Sequence, residues 1–157
     1  MIFSGEEIVA ELEQLGITHV IWIPDSDLGR WESALEKSML SLIRVCREGE
    51  AWPLAAGLII GGKSPVVIIQ STGLFESGDA LRNVVHDMRI PVFSIVGARN
   101  WLNANSHDSA KRFVMPIVDA WDIDYQLIES RSERAKLKQH YDTCCASSRA
   151  GMIVLAE

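Results

Sequence analysis

PVVIIQ, residues 65–70, is the stretch of sequence that decides the fold. Val66, Val67, Ile68 and Ile69 follow one another without a polar residue, so a strand formed here is apolar on both faces. A strand with one solvated face would alternate apolar and polar residues instead. A continuous β-branched run is typical of a strand covered by helices on both sides. The stretch therefore predicts a buried strand of a parallel sheet.

Strand and helix patterns alternate on either side of this run. The first predicted helix has Ser4 as its N-cap and Gly16 as its C-cap, and the third is tolerated only if Pro53 lies in its first turn. The predicted strands are residues 17–24, 42–46, 65–70, 90–97, 123–128 and 152–156. The predicted helices are residues 4–16, 28–39, 49–62, 78–89, 106–121 and 132–149.

This alternation predicts a single α/β domain over residues 1–157, a length that suits one domain with a sizeable core. We expect a six-stranded parallel sheet with helices on both faces, because continuous apolar strands that alternate with amphipathic helices are typical of such a sheet. The sequence shows no linker, repeat or low-complexity segment. Function in such a sheet concentrates at the carboxyl ends of the strands, so the residues that follow each strand are the candidates.

Charge and composition exclude several classes of protein. The formal net charge of −6 argues against nucleic acid as the main partner, since a phosphate-binding domain needs a basic face. The apolar runs are too short to span a bilayer, and the acidic N-terminal stretch is unlike a secretory signal. The three cysteines have no zinc-binding spacing, and two of them are adjacent. We therefore expect a reduced, cytoplasmic protein without a membrane partner.

Four segments that follow strands are rich in polar residues: PDSDLG (24–29), REGE (47–50), QSTGLFESG (70–78) and GARNWLNANSHDS (97–109). Turn chemistry alone accounts well for the first. In the second, Glu48 and Glu50 are two apart, so at most one of them points into a given pocket. From this stretch alone, a helix-start acid and a functional carboxylate are equally good interpretations.

No complete catalytic set is visible in the sequence. It contains no Walker A loop, no G-x-G-x-x-G, no nucleophile elbow and no H-E-x-x-H. His107 lies in a long polar loop, where it is either a proton donor or a surface residue near a helix start. His19 and His86 stand among apolar residues and are predicted to be packed, whereas His140 is predicted on an exposed helix.

Four segments together resemble the pyrimidine-binding (PYR) domain of thiamine-diphosphate enzymes. They are IPDS (23–26), REGEAWPLAAG (47–57), GGKSPVVIIQSTGL (61–74) and the strand IPVFSIVGAR (90–99) followed by His107. The resemblance covers essentially the whole chain. More narrowly, the chain resembles the α subunit of sulfopyruvate decarboxylase and the N-terminal half of phosphonopyruvate decarboxylase. It implies a six-stranded parallel domain of this size.

The resemblance assigns a role to the first Glu of EGE, Glu48. In the family this carboxylate hydrogen-bonds N1′ of the cofactor's aminopyrimidine and favours the imino tautomer, whose imino group takes the proton from thiazolium C2. The ylid attacks the keto carbon of a 2-oxo acid, and carbon dioxide leaves while the cationic ring accepts the electrons. The cofactor expected from the resemblance is therefore thiamine diphosphate.

The resemblance also implies a second polypeptide. The family's diphosphate-binding domain carries G-D-G and a later Asn, which hold Mg²⁺ and the diphosphate. Here Gly78-Asp79-Ala80 is followed by Asn103 and Asn105, but the last Gly is missing and the segment is predicted to start a helix. We therefore expect no metal site on this chain, Mg²⁺ bound by a diphosphate-binding β subunit, and an α₂β₂ assembly or a multiple of it.

Other residues carry over from the family by position. The resemblance implies that Asp25, Ser26 and Asp27 form a substrate-binding turn. Within this turn, it implies that Ser26 is catalytic. His107 is implied to be a catalytic proton relay. The implied cofactor-binding loop contains Gln70, Ser71, Thr72 and Gly73.

The third motif departs from the family's usual Gln-Asn-Ser-Gly-Leu-Gly-Asn, because residues 70–76 are Gln-Ser-Thr-Gly-Leu-Phe-Glu. Phe75 and Glu76 leave the substrate open. A carboxylate beside a sulfonate or phosphonate is repulsive unless Arg99, Arg82 or the partner compensates it.

The sequence thus predicts the α subunit of a split thiamine-diphosphate-dependent decarboxylase of a small 2-oxo acid, of the sulfopyruvate or phosphonopyruvate class. Two alternatives stay open. One is a carboligase or lyase with the same cofactor, and the other is a non-catalytic binding or regulatory domain that kept the fold. If the chain pairs with a partner, an exposed apolar face that includes Trp52 and Leu74 is expected.

Overall fold

The computed structural model describes all 157 residues, which form one six-stranded, all-parallel sheet with helices on both faces. Its architecture matches that of the PYR-type thiamine-diphosphate fold. The strands are β1 (His19–Trp22), β2 (Ser41–Arg44), β3 (Pro65–Gln70), β4 (Phe93–Ala98), β5 (Asp124–Ile128) and β6 (Gly151–Ala156). The α-helices are α1 (Gly5–Gln14), α2 (Glu32–Lys37), α3 (Glu48–Ile60), α4 (Ser71–Arg82), α5 (Ser109–Ala120) and α6 (Ala135–Ser147). All six predicted strands are confirmed.

Two apolar layers cover the sheet, one on each face. On the first face, Trp22, Ile68 and Ile153 pack with α1, with the 3₁₀ helix Leu28–Trp31, with α2 and with α6. On the second face, alternate strand residues pack with α3, α4 and α5. Every residue of β3 except Gln70 is buried, as its continuous apolar sequence predicts. Apart from Ser94 of β4, whose hydroxyl donates to the Gly151 carbonyl oxygen, the interiors of β3 and β4 carry no polar side chain.

The strand order is β2-β1-β3-β4-β6-β5. The chain leaves β1 for β2 on one side and then returns to place β3 on the other side of β1. The carboxyl ends of β1 and β3 thus form a switch point, where the connecting segments diverge and leave a crevice. The segments after β1, β2, β3 and β4 all begin at this edge of the sheet.

The structure corrects the prediction of a loop at residues 70–78. Gln70 is extended, α4 begins at Ser71 without a connecting loop, and the helix is interrupted at Gly78, where φ is 14° and ψ is −95°. A single π-helical turn, Asn83–Asp87, follows it. Small polar residues at a strand end resemble a loop in sequence, but here they form the first turns of a helix whose buried side is Gly73, Leu74 and Ser77.

Pro53 is not in the first turn of α3 as expected, because the helix begins five residues before it, at Glu48. Pro53 therefore lies in the second turn, where its ring removes one intrahelical hydrogen bond. The helix nevertheless continues to Ile60. Trp52, Ala55 and Ala56 are buried against the sheet, and this burial holds the helix in place.

Three further expectations about packing are wrong. His86 is exposed, whereas His140 is buried and its Nε2 lies 3.1 Å from the carbonyl oxygen of Asp124. Trp52 and Leu74 are both fully buried in the second apolar layer rather than on an exposed face.

None of the helices combines the length and apolarity needed to cross a bilayer.

The start of α1 confirms its predicted cap. The Ser4 hydroxyl accepts the Glu7 N–H at 3.2 Å, and the Glu7 carboxylate accepts the Ser4 N–H at 2.7 Å, which forms a capping box. Glu7 also binds Arg134 at 2.6 Å, so the cap ties α1 to the segment before α6.

Replacing this cap should destabilise the fold measurably. We expect Ser4→Ala to lower the free energy of unfolding by about 1 kcal/mol, because a helix N–H loses its acceptor. Urea denaturation followed by circular dichroism measures the change. Ser33→Ala, at an exposed position in α2, is the matched control and should change stability by less than about 0.5 kcal/mol. Equal losses in both variants would contradict the role of the cap.

Candidate functional site at the carboxyl edge of the sheet

The N-terminus of α3 receives its cap from a different helix. Arg47 occupies the N-cap position but its side chain makes no capping hydrogen bond. Instead, Glu76 of α4 accepts the Gly49 N–H at 2.7 Å and the Arg47 Nε–H at 3.0 Å. The Arg47 hydrogen bond, together with that of Gly49, holds the pKa of Glu76 below its ordinary value. The first turn of α3 is thereby fixed against α4.

This contact explains Glu76, whose role the sequence left open. Its charge is compensated by Arg47, and not by Arg82 or Arg99 as considered above. Arg82 instead binds Asp79 and Asp87, and Arg99 binds Asp108. An ion pair with Arg47 removes much of the repulsion that an anionic substrate would meet at Glu76.

The structure distinguishes Glu48 from Glu50. The Glu50 carboxylate accepts the Cys46 N–H at 3.2 Å, so it serves the helix start. Glu48, in the first turn of α3, is half-buried and forms no hydrogen bond or ion pair within the chain. Of the acidic side chains around this helix start, Glu48 is the one whose carboxylate is free to bind something else.

A glycine of α4 makes room for the Glu48 side chain. A Cβ atom at Gly73 would lie 2.7 Å from Oε1 and 2.8 Å from Cδ of Glu48, closer than real carbon contacts allow. Gly73 is buried, and the Glu48 side chain occupies the space that any larger residue would need. The contact therefore sets the position of Glu48 across the α3–α4 interface.

This close contact gives a prediction that is independent of function. In the wild type, Gly73→Ala should lower the free energy of unfolding by about 1–3 kcal/mol, because the new methyl group overpacks against Glu48. In a Glu48→Ala background the loss should shrink or reverse, since alanine is the better helix former. A double-mutant cycle by urea denaturation measures the coupling.

Gly57→Ala is the matched control for this cycle. Gly57 is in α3 with open space around it, so alanine there should stabilise the fold by about 0.5–1 kcal/mol in both backgrounds. Additivity of Gly73→Ala and Glu48→Ala would contradict the contact.

The predicted substrate-binding turn is held by its own aspartate. Asp25 Oδ1 accepts the N–H groups of Asp27 at 2.7 Å and of Leu28 at 2.8 Å. Its other oxygen, Oδ2, is buried without a hydrogen-bond partner. Burial raises the pKa of Asp25, against the lowering effect of these two N–H groups. Ser26 is exposed and Asp27 is half-buried.

The predicted cofactor-binding residues lie at the junction of β3 and α4. The Thr72 hydroxyl donates to the Gln70 side chain at 3.1 Å and is exposed. Ser71 is fully buried, and its Oγ has no hydrogen-bond partner. The structure thus brings Gly73 and Glu48 into contact, and Gln70 and Thr72 into contact.

His107 lies apart from these groups in the segment before α5. It is exposed and lines a surface cavity of about 410 Å³. None of the other predicted site residues lines that cavity. The remaining lining residues are Trp101, Ser106, Asp108, Lys111 and Arg112.

Glu157, directly after β6, is a candidate that the sequence reasoning missed. Both of its carboxylate oxygens are buried without a hydrogen-bond partner. A Cβ atom at Gly97 of β4 would lie 2.8 Å from Glu157 Cδ, so the side chain lies across that glycine. The sequence carries a signal for this site, because Glu157 directly follows the apolar run 152–156.

Glu157 shares its environment with the turn after β1. Burial, and then the charges of Asp25 and Asp27, raise the pKa of Glu157 to about 8; Gln70 and Arg99 act in the opposite direction. A carboxylic acid at this position thus stays neutral between its ordinary pKa of 4.5 and about 8, where ordinary carboxylates are charged.

The raised pKa predicts how stability depends on pH. The folded state retains the Glu157 proton between the ordinary value of 4.5 and about 8, whereas the unfolded chain releases it. The stabilising contribution of the neutral form is therefore complete below pH 4.5 and is lost as pH rises to 8. We expect wild type to lose about 1 kcal/mol more than Glu157→Gln over this interval, after allowance for solvent screening.

Urea denaturation at closely spaced pH values measures both slopes. Glu129→Gln, which removes an exposed carboxylate after β5, is the control and should keep the wild-type slope. Parallel slopes for wild type and Glu157→Gln would show that Glu157 titrates normally in the folded state.

Two curated proteins are similar to this chain, and both are named phosphonopyruvate decarboxylase. The chain is 28% identical over 148 residues to that of Streptomyces viridochromogenes, a match covering 92% of this chain and 37% of the relative. It is 26% identical over 145 residues to that of Streptomyces hygroscopicus, covering 90% of this chain and 36% of the relative. No family model matches the chain.

The two matches support the phosphonopyruvate decarboxylase side of the resemblance at low identity. They do not separate it from the sulfopyruvate branch, since neither relative carries that name. The chain spans little more than a third of the length of the curated relatives it matches, at 37% and 36%. Almost all of this chain thus corresponds to one part of a longer decarboxylase.

Proposed function

We propose that this chain is the cofactor-activating α subunit of a split thiamine-diphosphate-dependent decarboxylase, acting on phosphonopyruvate, sulfopyruvate or a close relative. The observation that carries the proposal is Glu48, a half-buried carboxylate without a partner at the start of α3. The similarity to phosphonopyruvate decarboxylases over most of the chain supports the reaction class.

The residues present fit the aminopyrimidine part of the cofactor. Glu48 has an unused carboxylate, and Gly73 leaves the space in which that carboxylate is directed across the α3–α4 interface. Gln70, Ser71 and Thr72 lie at the adjoining end of β3, where Ser71 Oγ still lacks a partner. When bound, the cofactor supplies a carbon nucleophile and an electron sink for decarboxylation of a 2-oxo acid.

The part of Glu48 in this scheme is to share a proton with a ring nitrogen. A carboxyl group does this best where bulk water is excluded, because its proton affinity then approaches that of the ring. Glu76 and Arg47 fix the first turn of α3 without engaging Glu48, so its backbone is held while its oxygens stay available. Closure of the site from water then depends on a partner surface.

The substrate is assigned to the turn after β1. Ser26 is exposed and offers a hydroxyl at the switch point, and Asp25 fixes the turn through two N–H groups. Arg99 directly follows β4 at this edge of the sheet. Its side chain is half exposed and pairs with Asp108. It is the residue of this chain suited to bind the phosphonate or sulfonate group.

The partner is proposed to be a diphosphate-binding β subunit that carries G-D-G and binds Mg²⁺, in an α₂β₂ assembly or a multiple of it. The chain corresponds to little more than a third of the length of its relatives, which fits a missing second part. Assembly would place the free Glu48 carboxylate at an interface between subunits. His107 would act there as a proton relay only if the partner brings substrate to its cavity.

The decisive experiment is reconstitution with a matched pair of variants. The chain is mixed with a G-D-G-bearing partner, thiamine diphosphate and Mg²⁺, and carbon dioxide release from phosphonopyruvate and from sulfopyruvate is followed. We expect turnover to need both chains. Glu48→Gln should lower kcat by about 10²–10⁴-fold, because proton sharing with the ring is lost.

Glu50→Gln is the matched control, since Glu50 is two residues away, exposed and engaged with the Cys46 N–H. It should retain kcat within about threefold. Turnover that survives Glu48→Gln would overturn the assigned role. Absence of turnover with either substrate, together with no cofactor-dependent association of the two chains, would reject the decarboxylase proposal in favour of a binding domain.

A further inference from the structure

The strand register brings three polar positions to one face at the carboxyl edge. Gln70 pairs with Gly97, and Gly97 pairs with Leu155. Paired residues of a parallel sheet point to the same side, and residues two apart on a strand do so as well. Glu157, two residues after Leu155, therefore lies on the same face as Gln70 and Gly97, which agrees with its position across Gly97.

The turn after β1 closes over the same place. Leu28 Cδ1 lies 3.1 Å from the position of a Cβ atom at Gly97, next to the Glu157 carboxyl group. Leu28 begins the 3₁₀ helix that packs in the first apolar layer. Asp25 holds this start through the N–H groups of Asp27 and Leu28. The position of the turn thus depends on the contacts of Asp25 and Leu28 with the groups at the carboxyl ends of β4 and β6.

The groups around Glu157 carry excess negative charge. The negative charges of Asp25 and Asp27, in the turn after β1, raise the pKa of Glu157, whereas Gln70 of β3 and Arg99, after β4, lower it. Arg99 is shared with Asp108, to which its Nε lies at 2.9 Å, and its side chain is 50% exposed. Asp25 Oδ2 and both Glu157 oxygens have no donor.

In such an arrangement, one of the two carboxyl groups keeps its proton more readily than both become ionised. Two ionised carboxylates that share one buried environment repel each other, and one of them keeps its proton instead. Here the repulsion would act on Asp25, whose other oxygen anchors the turn. Loss of the proton would therefore strain the hydrogen bonds that close the turn.

We propose that one proton held between Asp25 and Glu157 keeps the 25–28 turn closed on the sheet edge, and that Glu157 is a positioning residue for this turn. The inference rests on the proposed function in one respect, which is that the turn binds substrate. The opening of the turn with pH belongs to this chain by itself. Glu157 acts through Asp25 and need not touch a ligand.

Hydrogen exchange at several pH values tests the inference on the chain without cofactor. Exchange of the N–H groups in residues 25–31 is measured by mass spectrometry from pH 6 to pH 9 and corrected for intrinsic rates. We expect the corrected rate to rise about tenfold in wild type, with a midpoint near pH 8. In Glu157→Gln, which stays neutral, the rate should not change with pH.

Asp25→Asn is the second variant. Its amide oxygen can still accept the Asp27 and Leu28 N–H groups, but the negative charge is gone, so the midpoint should move to lower pH by about one unit. Glu129→Gln, at an exposed strand end, should behave as wild type. A flat profile in wild type, or the same rise in Glu157→Gln as in wild type, would overturn the inference.

The outcome is separable from that of the decarboxylase proposal. If reconstitution fails while the exchange profile follows the expected pattern, the proton-dependent turn stands and its ligand is not a 2-oxo acid. If reconstitution succeeds while the wild-type exchange profile is flat, the enzyme stands and Glu157 has no positioning role. In an active assembly, Glu157→Gln should also remove a pH dependence of KM near pH 8, which a merely structural residue would not affect.

Discussion

Burial of the central strands on both faces is the constraint on which the rest of this structure depends. β3 and β4 have no solvent-facing side, so no polar side chain can be placed along them without loss of hydrogen bonds to water. Polar groups are therefore concentrated at the strand ends, and the parallel arrangement gathers all six carboxyl ends at one edge. The candidate site residues lie at that edge because the interior of the sheet is apolar on both faces.

The α3–α4 interface shows how one carboxylate, that of Glu48, is left without a partner in a crowded acidic region. Glu76 caps α3 and neutralises Arg47, and Glu50 serves the segment before the helix. These contacts satisfy the helix start, so Glu48 is not needed as a cap. Gly73 then gives its side chain a defined place. Glu76, one of the two residues at which this chain departs from the motif discussed above, thus has a structural role, because it caps α3 and pairs with Arg47.

The other half of the edge carries the opposite arrangement. Around Glu157 the carboxyl oxygens are buried and lack donors, and the nearby cation is shared with a helix cap at Asp108. A free carboxylate at Glu48 and a proton-holding carboxyl at Glu157 thus lie on different sides of the same set of strands. Glu48 is half-buried and has no partner in the chain, whereas both Glu157 carboxyl oxygens are buried without a hydrogen-bond partner.

The sequence by itself determined the six strands, the parallel sheet, the helices on both faces and the Ser4 N-cap of α1. These features follow from local pattern, since a β-branched run such as Val66 to Ile69 is apolar on both faces wherever it is placed. The resemblance in sequence also singled out Glu48. Local pattern failed at residues 70–78, because small polar residues suit a loop and a first helical turn equally well.

Only the tertiary structure decided which carboxylates are paired, buried or free. Glu50 accepts the N–H of Cys46, four residues before it, whereas Glu48 packs against Gly73 of α4, the helix whose Glu76 caps the start of α3. The burial of Glu157 beside Asp25 joins residues from opposite ends of the chain. Periodicity reports which side of an element a residue lies on, but hydrogen-bond partners and electrostatic neighbours depend on how distant segments pack, and that packing is fixed only when the whole sheet has formed.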